Sequence, residues 1–400
     1  MNCLICLKEI TQKRSSSYHS KCLKELFGAD KIDVTLAESR KDLVTDMPRQ
    51  THGFSISGVQ MKCQLAVKGG KLQLVDSGGQ FIMKPSPEEY PNVAENEHAT
   101  LKLMDRVGFE VPPCGLLKLN DGHLVFVIRR YDRNFEDGTK YHQEDAMQAL
   151  GISNADSGQK YTAASYEEVL NLAKKHGGDA VAAALFDRLA FSYLVGNDDH
   201  HLKNISFLHE PAFRLAPCYD VLASSLYSSA TDSPMALAML KDGKQPKYHE
   251  EMANGYYSGS DFIEMGARAG LRSKALAGRL SRLIKNVNQH APEFIQSSFM
   301  PEDVKGKYKK LLEQRIKFMC SASTILSGRI ASVKNQTHRL IVSLLMPKTT
   351  AVSRSPPYIS KSTHRFPALI PKYSKQRPTV PRKVVRSRSC SMLRSRWMHS

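Results

Sequence analysis

The sequence contains no run of twenty apolar residues, and its first thirty residues lack the uninterrupted apolar core of a signal peptide. A membrane-spanning helix needs about twenty such residues in succession, so no membrane span is predicted and a soluble, cytoplasmic protein is expected. Beyond the first three, the eight cysteines are scattered, which is not the pattern of a disulfide framework. Reduced thiols are therefore expected in a chain whose 400 residues favour two or more domains.

Acidic residues are missing from the last part of the chain. Residues 318–400 contain 16 Lys and Arg but no Asp or Glu, so the preceding residues carry 41 bases against all 39 acids. The tail therefore carries +16 of the net charge of +18, and the nearly neutral remainder is not expected to bind DNA directly. The tail is rich in Ser, Arg and Pro and is predicted to be disordered. RNA binding, binding to an anionic membrane and read-through of unselected sequence all remain open for it.

The most informative stretch, residues 196–220, reads GNDDHHLKNISFLHEPAFRLAPCYD. It contains an acid, Asp199, then an amide, Asn204, and finally a second acid, Asp220. In phosphotransferases an aspartate orients the acceptor hydroxyl or takes its proton, while an asparagine and a second aspartate hold magnesium. A helical pattern before this stretch and a hairpin pattern within it predict a polar loop between rigid elements. Each acid taken singly has a simpler interpretation, because loop acids commonly cap turns.

Two further groups carry side chains that can ligate metals. Cys3, Cys6, His19 and Cys22 follow the spacing C-x2-C-x12-H-x2-C, which offers the two close ligand pairs of a tetrahedral zinc knuckle. Such a zinc would be structural, since the protein would fill all four positions; ordinary buried small residues are the alternative. The adjacent histidines 200 and 201 suggest a metal hydrolase, but they lack the helical i, i+4 spacing of the zinc hydrolases.

Residues 54–84 alternate in strand fashion between turn signals and predict a small antiparallel sheet. Its first turn, Ser-Ile-Ser-Gly at 55–58, offers amides, hydroxyls and a glycine that suit a phosphate cradle, although a plain hairpin turn has the same composition. Lys84 is a candidate for pairing with nucleotide phosphates. Glu97, early in a helical pattern at 91–108, is placed to pair with Lys84 as in protein kinases, or else is a favourable acid in a first helical turn.

The rest of the chain is divided by its turn and cap signals. A second hairpin with an Asp121-Gly122 turn leads to residue 134, beyond which helical patterns dominate. A capping box at Ser165 opens a helix predicted to stop at Gly177-Gly178, and further helical patterns cover 180–195, 261–269, 273–288 and 301–318. The predicted domains are an N-terminal segment 1–50, a sheet lobe 51–134, a helical lobe 135–317 and the tail 318–400.

Seven motifs, taken in this order, resemble those of the HipA family of serine/threonine protein kinases, the kinase toxins of bacterial toxin–antitoxin modules. They are SISGVQMK at 55–62, FIMKP around Lys84, NEH at 96–98, RRYDR at 129–133, QED at 143–145, GNDDHHLKN at 196–204 and APCYD ending at Asp220. The resemblance implies an α+β, bilobal protein-kinase-like fold, with catalysis at Asp199 and magnesium at Asn204 and Asp220. It implies that ATP is bound by Ser55, Ser57, Gly58, Val59, Gln60, Lys62, Lys84, Glu97, Arg129, Tyr131 and His201. Arg129 and His200 depart from the family pattern.

Two features are similar to the short HipT kinases of three-component systems. Only about fifty residues precede the Ser55 loop, and this loop carries two serines, Ser55 and Ser57, like the paired autophosphorylation serines of HipT. The resemblance implies that phosphorylation there silences the enzyme, which is reasonable because a phosphate adds about two negative charges where the triphosphate binds. The implied protein partners are an aminoacyl-tRNA synthetase of tryptophanyl or glutamyl type as substrate, a DNA-binding HipB-like antitoxin and a small HipS-like protein.

We therefore interpret the chain as a kinase that transfers the γ-phosphoryl group of ATP to a serine on a translation enzyme and on its own loop. Two alternatives remain. A small-molecule kinase would share the Asp–Asn–Asp layout but would need an acidic pocket for a cationic metabolite. A non-catalytic subunit would instead dock on a DNA-binding antitoxin as a corepressor.

Overall fold

The computed structural model describes residues 1–11, 16–43, 61–153, 158–227, 233–252 and 255–320. The predicted phosphate cradle, with Ser55, Ser57, Gly58, Val59 and Gln60, lies outside these ranges. The tail was predicted to begin at residue 318, and its first three residues belong to a helix that runs to Cys320. The rest of the tail lies outside the described ranges.

The helices and strands follow the chain in mixed order. The strands are β1 Cys63–Lys68, β2 Lys71–Val75, β3 Phe81–Pro85, β4 Cys114–Lys118, β5 Leu124–Arg129, β6 Gln143–Asp145, β7 Ser206–Leu208 and β8 Arg214–Leu215. The helices are α1 Ser20–Phe27, α2 Val93–Arg106, α3 Ala146–Ala149, α4 Gln159–Thr162, α5 Tyr166–Val195, α6 Lys247–Met252, α7 Gly259–Arg268, α8 Ser273–Ser297 and α9 Glu302–Cys320. None of the described helices is long and apolar enough to cross a bilayer.

The small lobe is built on an antiparallel sheet, as the hairpin patterns predict, and its strand order is β2-β1-β3-β5-β4. In its centre, Lys84 on β3 pairs with Phe126 on β5, and Phe81 pairs with Arg129. Because side chains alternate along a strand, Lys84 and Phe126 share one face of the sheet, and Phe81 and Arg129 share the other.

Both faces of this sheet are covered, which explains why β4 and β5 are buried along most of their length. The face that carries Phe126 belongs to the same hydrophobic core as α2 and the large lobe. The opposite face packs against the N-terminal segment, whose Ile5, Leu26 and Phe27 join a cluster with Phe81 and other strand residues. The N-terminal segment therefore completes the small lobe.

The large lobe is mostly helical and is centred on α5. The predicted capping box is present, because the Ser165 side chain accepts from the Glu168 backbone N–H and the Glu168 side chain accepts from the Ser165 backbone N–H. Two helices were predicted on either side of Gly178, and the structure bears this out: Gly178 is not helical, with φ of 73° and ψ of −174°, and it divides α5 into two halves. A small antiparallel sheet has the strand order β6-β7-β8, and the loop predicted to hold the site leads from α5 into β7.

Candidate active site

The predicted catalytic loop starts with an abrupt turn at the end of α5. Gly196 caps the helix in the left-handed region, with φ of 72°, and a Cβ there would approach Ser225 Oγ and Leu311 Cδ2 to 2.5 Å. Only glycine fits such a position without strain. After the turn, the side-chain amide of Asn204 donates to the Asp199 carbonyl over 2.9 Å and closes the loop on itself. The side-chain oxygen of Asn204 is then the atom that can ligate a cation.

Asp220 lies opposite this loop, in a backbone conformation that few residues adopt. Its φ is 55°, within the left-handed region, which aspartate tolerates better than most side chains. One carboxylate oxygen accepts from Lys62 Nζ over 3.0 Å, and the other is in contact with Lys84 Nζ. Strained backbone of this kind is concentrated at functional sites, where the surrounding contacts hold it in place.

Lys84 also donates to Glu97 Oε1 over 2.6 Å, as the sequence predicts, and both side chains are almost fully buried. Burial alone would lower the pKa of Lys84, but the carboxylates of Asp220 and Glu97 outweigh it and hold that pKa above its usual range. Burial would raise the pKa of Asp220, yet the ammonium groups of Lys84 and Lys62 hold it well below its usual range. Two ammonium groups and two carboxylates thus form one charge-balanced network.

Helix α2 connects this network to two other parts of the molecule through three consecutive residues. Asn96 exchanges hydrogen bonds with the Ala223 backbone, donating over 3.2 Å and accepting over 2.9 Å. Glu97 binds Lys84, and His98 Nε2 lies 2.9 Å from the carbonyl oxygen of Ile5 in the N-terminal segment. Successive side chains on a helix point about 100° apart, so these three side chains contact three different parts of the molecule. Sequence reasoning did not assign a role to Asn96.

The predicted catalytic residues line a cleft of about 610 Å³, a size typical of small-molecule sites. Its wall includes Asp199, Asn204 and Asp220, and it also includes three lysines, Lys62, Lys160 and Lys203. The side chain of Asp199 is half exposed to the cleft. Burial of the remainder raises the pKa of Asp199 from its ordinary value. The cleft therefore combines carboxylate and amide oxygens with ammonium groups that can neutralise a polyanion.

The other residues predicted to bind nucleotide are placed differently. His201 lines the cleft, and burial lowers its pKa to about 4, so the ring is neutral at pH 7. The ring of Tyr131 packs on that of Tyr219, which lines the cleft, with centroids 5.4 Å apart. Arg129 lies on the other face of the sheet, where its Nε donates to the Leu26 carbonyl over 2.9 Å. This placement does not bring Arg129 to the cleft.

Tyr161 is a cleft residue that the sequence reasoning missed. Its hydroxyl donates to Asp199 Oδ1 over 2.7 Å, and its ring meets the His201 ring edge-on with centroids 5.0 Å apart. Tyr161 lies on the short helix α4, 38 residues before Asp199 in the chain. No spacing rule links these two positions, so only the folded structure reveals the contact.

Two clusters in the described part of the chain have the side chains and spacing to hold a metal ion. They are Cys3, Cys6, His19 and Cys22, as the sequence predicts, and His142, Glu144 and His209, which it does not predict. Within the described residues, neither cluster includes the adjacent histidines 200 and 201. His200 is buried, and this burial lowers its pKa to about 3. The geometry therefore gives no support to a hydrolytic metal centre at that pair.

Comparison with known proteins extends this picture. A family model described as the HipA-like C-terminal domain matches residues 54–291. A Haemophilus influenzae protein named as a candidate kinase is 33% identical over 322 residues, which cover 75% of this chain and 92% of that protein. The serine/threonine-protein kinase toxin HipA of Shewanella oneidensis is 25% identical over 259 residues, covering 60% of this chain and 57% of the toxin.

A solved structure shares the fold. It is the complex of Shewanella oneidensis HipA with HipB and operator DNA, whose matching chain has a TM-score of 0.57 and 22% sequence identity. The match covers 70% of this chain and 71% of that one. The predicted α+β, kinase-like fold is thereby confirmed.

Proposed function

Because the chain belongs to the family of HipA-like kinases, we propose that it transfers the γ-phosphoryl group of ATP to a serine or threonine hydroxyl of a protein. One observation carries this proposal: Lys84, Glu97, Asp199, Asn204 and Asp220, far apart in sequence, converge on one cleft and its immediate wall. Phosphoryl transfer needs this set, since it depends on positioning and charge neutralisation more than on covalent chemistry.

The residues present fit a magnesium–nucleotide complex. Asn204 and Asp220 offer amide and carboxylate oxygens, the ligands that magnesium prefers, and would hold the metal. Magnesium, when bound, would neutralise charge on the triphosphate. Lys62 and Lys84 contact Asp220 and are the cations available to phosphate oxygens at the same place.

Asp199 would act on the acceptor. Its carboxylate borders the cleft and accepts a hydrogen bond from a hydroxyl, that of Tyr161, which shows that a hydroxyl can approach it. In the transfer, the acceptor O–H bond breaks, a bond from the acceptor oxygen to the γ-phosphorus forms, and the bond to the bridging oxygen of ADP breaks. Asp199 orients the hydroxyl and accepts its proton.

We also propose, from family membership and the paired loop serines, that an aminoacyl-tRNA synthetase of tryptophanyl or glutamyl type is the substrate. A DNA-binding HipB-like antitoxin and a small HipS-like protein would be its partners. The Shewanella HipA structure contains HipB and operator DNA, which supports the first of these partners. Ser55 and Ser57 would be autophosphorylation sites that silence the enzyme.

The direct test is intact-mass spectrometry of the unphosphorylated full-length chain after incubation with ATP and magnesium. We expect a gain of one or two phosphates, about 80 Da each, mapped to Ser55 or Ser57. The Asp199→Asn variant should gain none, and the Ser55→Ala/Ser57→Ala variant should lose only the loop phosphates. If the parent binds ATP but neither labels itself nor labels a synthetase, a non-catalytic antitoxin-docking subunit becomes the better interpretation.

Removal of the Tyr161 hydroxyl is expected to improve use of a protein acceptor. Because this hydroxyl binds one oxygen of the Asp199 carboxylate, Oδ1, it competes with an incoming substrate hydroxyl for that oxygen. A typical intramolecular hydrogen bond contributes about 0.5–1.5 kcal/mol net, so Tyr161→Phe should lower KM for the acceptor by about two- to ten-fold.

Steady-state kinetics with varied acceptor and varied ATP would test this prediction. KM for ATP should not change, and Tyr141→Phe, at another partly exposed tyrosine, should change neither constant. A fall in kcat with an unchanged acceptor KM would instead mean that Tyr161 positions Asp199.

A further inference from the structure

Four metal-ligating side chains, those of Cys3, Cys6, His19 and Cys22, cluster near the N-terminus. Their ligand atoms all lie within 4.8 Å of one another. His19 Nδ1 lies 3.4 Å from Cys6 Sγ and 3.8 Å from Cys22 Sγ. Zinc–sulfur bonds of about 2.3 Å and zinc–nitrogen bonds of about 2.0 Å in a tetrahedron place the ligand atoms roughly 3.5–3.8 Å apart. The two distances from His19 Nδ1 are close to this spacing.

The local backbone is shaped to present these ligands. Cys3 and Cys6 flank a tight turn that ends at Leu7, whose φ is 65°, and the Leu7 N–H donates to the Cys3 carbonyl over 3.0 Å. The His19 backbone N–H points at Cys3 Sγ over 3.5 Å. His19 precedes α1 without capping it through its side chain, and Cys22 follows in the first turn, so both face the same side.

The cysteines of this cluster are free thiols, and Cys3 and Cys22 are buried. Three neutral thiols this close together stabilise one another little. As thiolates, in contrast, they are the preferred ligands of zinc. Because the protein fills all four coordination positions, such a metal would have no open position for catalysis and would be structural.

The residues between the ligands bind the elements that carry the active site. The carbonyl of Ile5 accepts from His98 Nε2, since a carbonyl can only accept, and His98 is fully buried directly after Glu97 on α2. The carbonyl of Leu4 accepts from the Leu116 N–H on the edge strand β4 over 2.8 Å. If the turn between Cys3 and Cys6 is held in place, these two contacts restrain both α2 and β4.

We propose that Cys3, Cys6, His19 and Cys22 bind one structural zinc ion, and that this site holds α2 in the position that pairs Glu97 with Lys84. The metal site goes beyond the proposed kinase activity and does not depend on it. Zinc release would loosen the Ile5 and Leu4 contacts first, and through them α2.

The first test is the metal content of the full-length protein, purified under reducing conditions without chelator. We expect one zinc per chain, and reconstitution with cobalt should give the intense visible spectrum of tetrahedral, thiolate-bound Co²⁺. Cys22→Ser should lose zinc at a chelator concentration that leaves the parent loaded. Cys218→Ser, at a buried cysteine outside the cluster, and His19→Cys, which keeps four ligands, should both retain it.

Hydrogen exchange of the full-length protein tests the second half of the proposal. Removal of zinc by a chelator should increase amide exchange in residues 93–106 and 114–118 but not in α8. Unchanged exchange in 93–106 after zinc loss would overturn the coupling to α2. A parent protein that takes up neither zinc nor cobalt, or that contains a disulfide among these cysteines, would overturn the metal site even if Cys22→Ser fails to fold.

Discussion

Replacement of Asp199 by asparagine is expected to lower kcat for phosphoryl transfer by about 10²- to 10⁴-fold, the range that a general acid or base contributes. Asparagine keeps the volume of the side chain but cannot accept a proton. Asp199 contributes no ion pair to the network of Lys62, Lys84, Glu97 and Asp220, so the affinity for ATP should remain nearly unchanged. Single-turnover kinetics and calorimetric titration with ATP would measure the two quantities separately.

The adjacent acid supplies a matched control. Asp198 also lines the cleft, but its carboxylate accepts from the Ser224 hydroxyl and so holds the loop against the segment after Asp220. Asp198→Asn should therefore cost much less in kcat than Asp199→Asn. Equal losses in the two variants would indicate a general disturbance of the loop and would contradict a specific role for Asp199.

Much of the secondary structure around the site could be predicted because its signals are local. The two hairpins, the helix that carries Glu97 and the capping box at Ser165 each depend on residues close together in sequence. The helix end predicted at Gly177-Gly178 is also present, since Gly178 is not helical and glycine pairs usually terminate helices. The two halves of α5 that it separates pack in one core.

The placement of Arg129 could not be predicted from its motif alone. Its pairing with Phe81 puts it on the sheet face that the N-terminal segment covers, where its guanidinium lies 3.9 Å from the centre of the Phe135 ring. A shift of one residue in register would reverse this face. The sequence indicates strand alternation but does not show which face the preceding segment will occupy.

Contacts between distant residues were also beyond prediction. Asn96 and Ala223 are 127 residues apart, and Lys84 and Asp220 are 136 apart. Neither contact was predicted: Lys84 was expected to pair with Glu97 and with nucleotide phosphates and Asp220 to hold magnesium, while Asn96 was given no role. The chemistry of phosphotransfer thus predicted the charged residues of the site better than the neutral residues that fix their positions.

The second large effect is expected at Lys84, where a substitution should change both the phosphoryl-transfer activity and the free energy of unfolding, for different reasons. Lys84→Met should lower kcat/KM for ATP by about 10²- to 10³-fold, because a preorganised cation next to the phosphates is lost. It should also lower the free energy of unfolding by about 3 kcal/mol, since buried Glu97 is left without its partner. Lys62→Met should lower the free energy of unfolding by only about 1 kcal/mol or less, because Lys62 is one-third exposed and Asp220 retains its ion pair with Lys84.

Addition of Glu97→Gln to Lys84→Met should restore most of the lost stability, measured by urea denaturation, without restoring activity. The neutral amide removes the unpaired buried charge, whereas nothing replaces the cation at the phosphates. If the double variant were no more stable than Lys84→Met alone, the charge of Glu97 would not be balanced by Lys84, and the charge-balanced network would be disproved. Restored activity would contradict the role of Lys84 in binding the triphosphate.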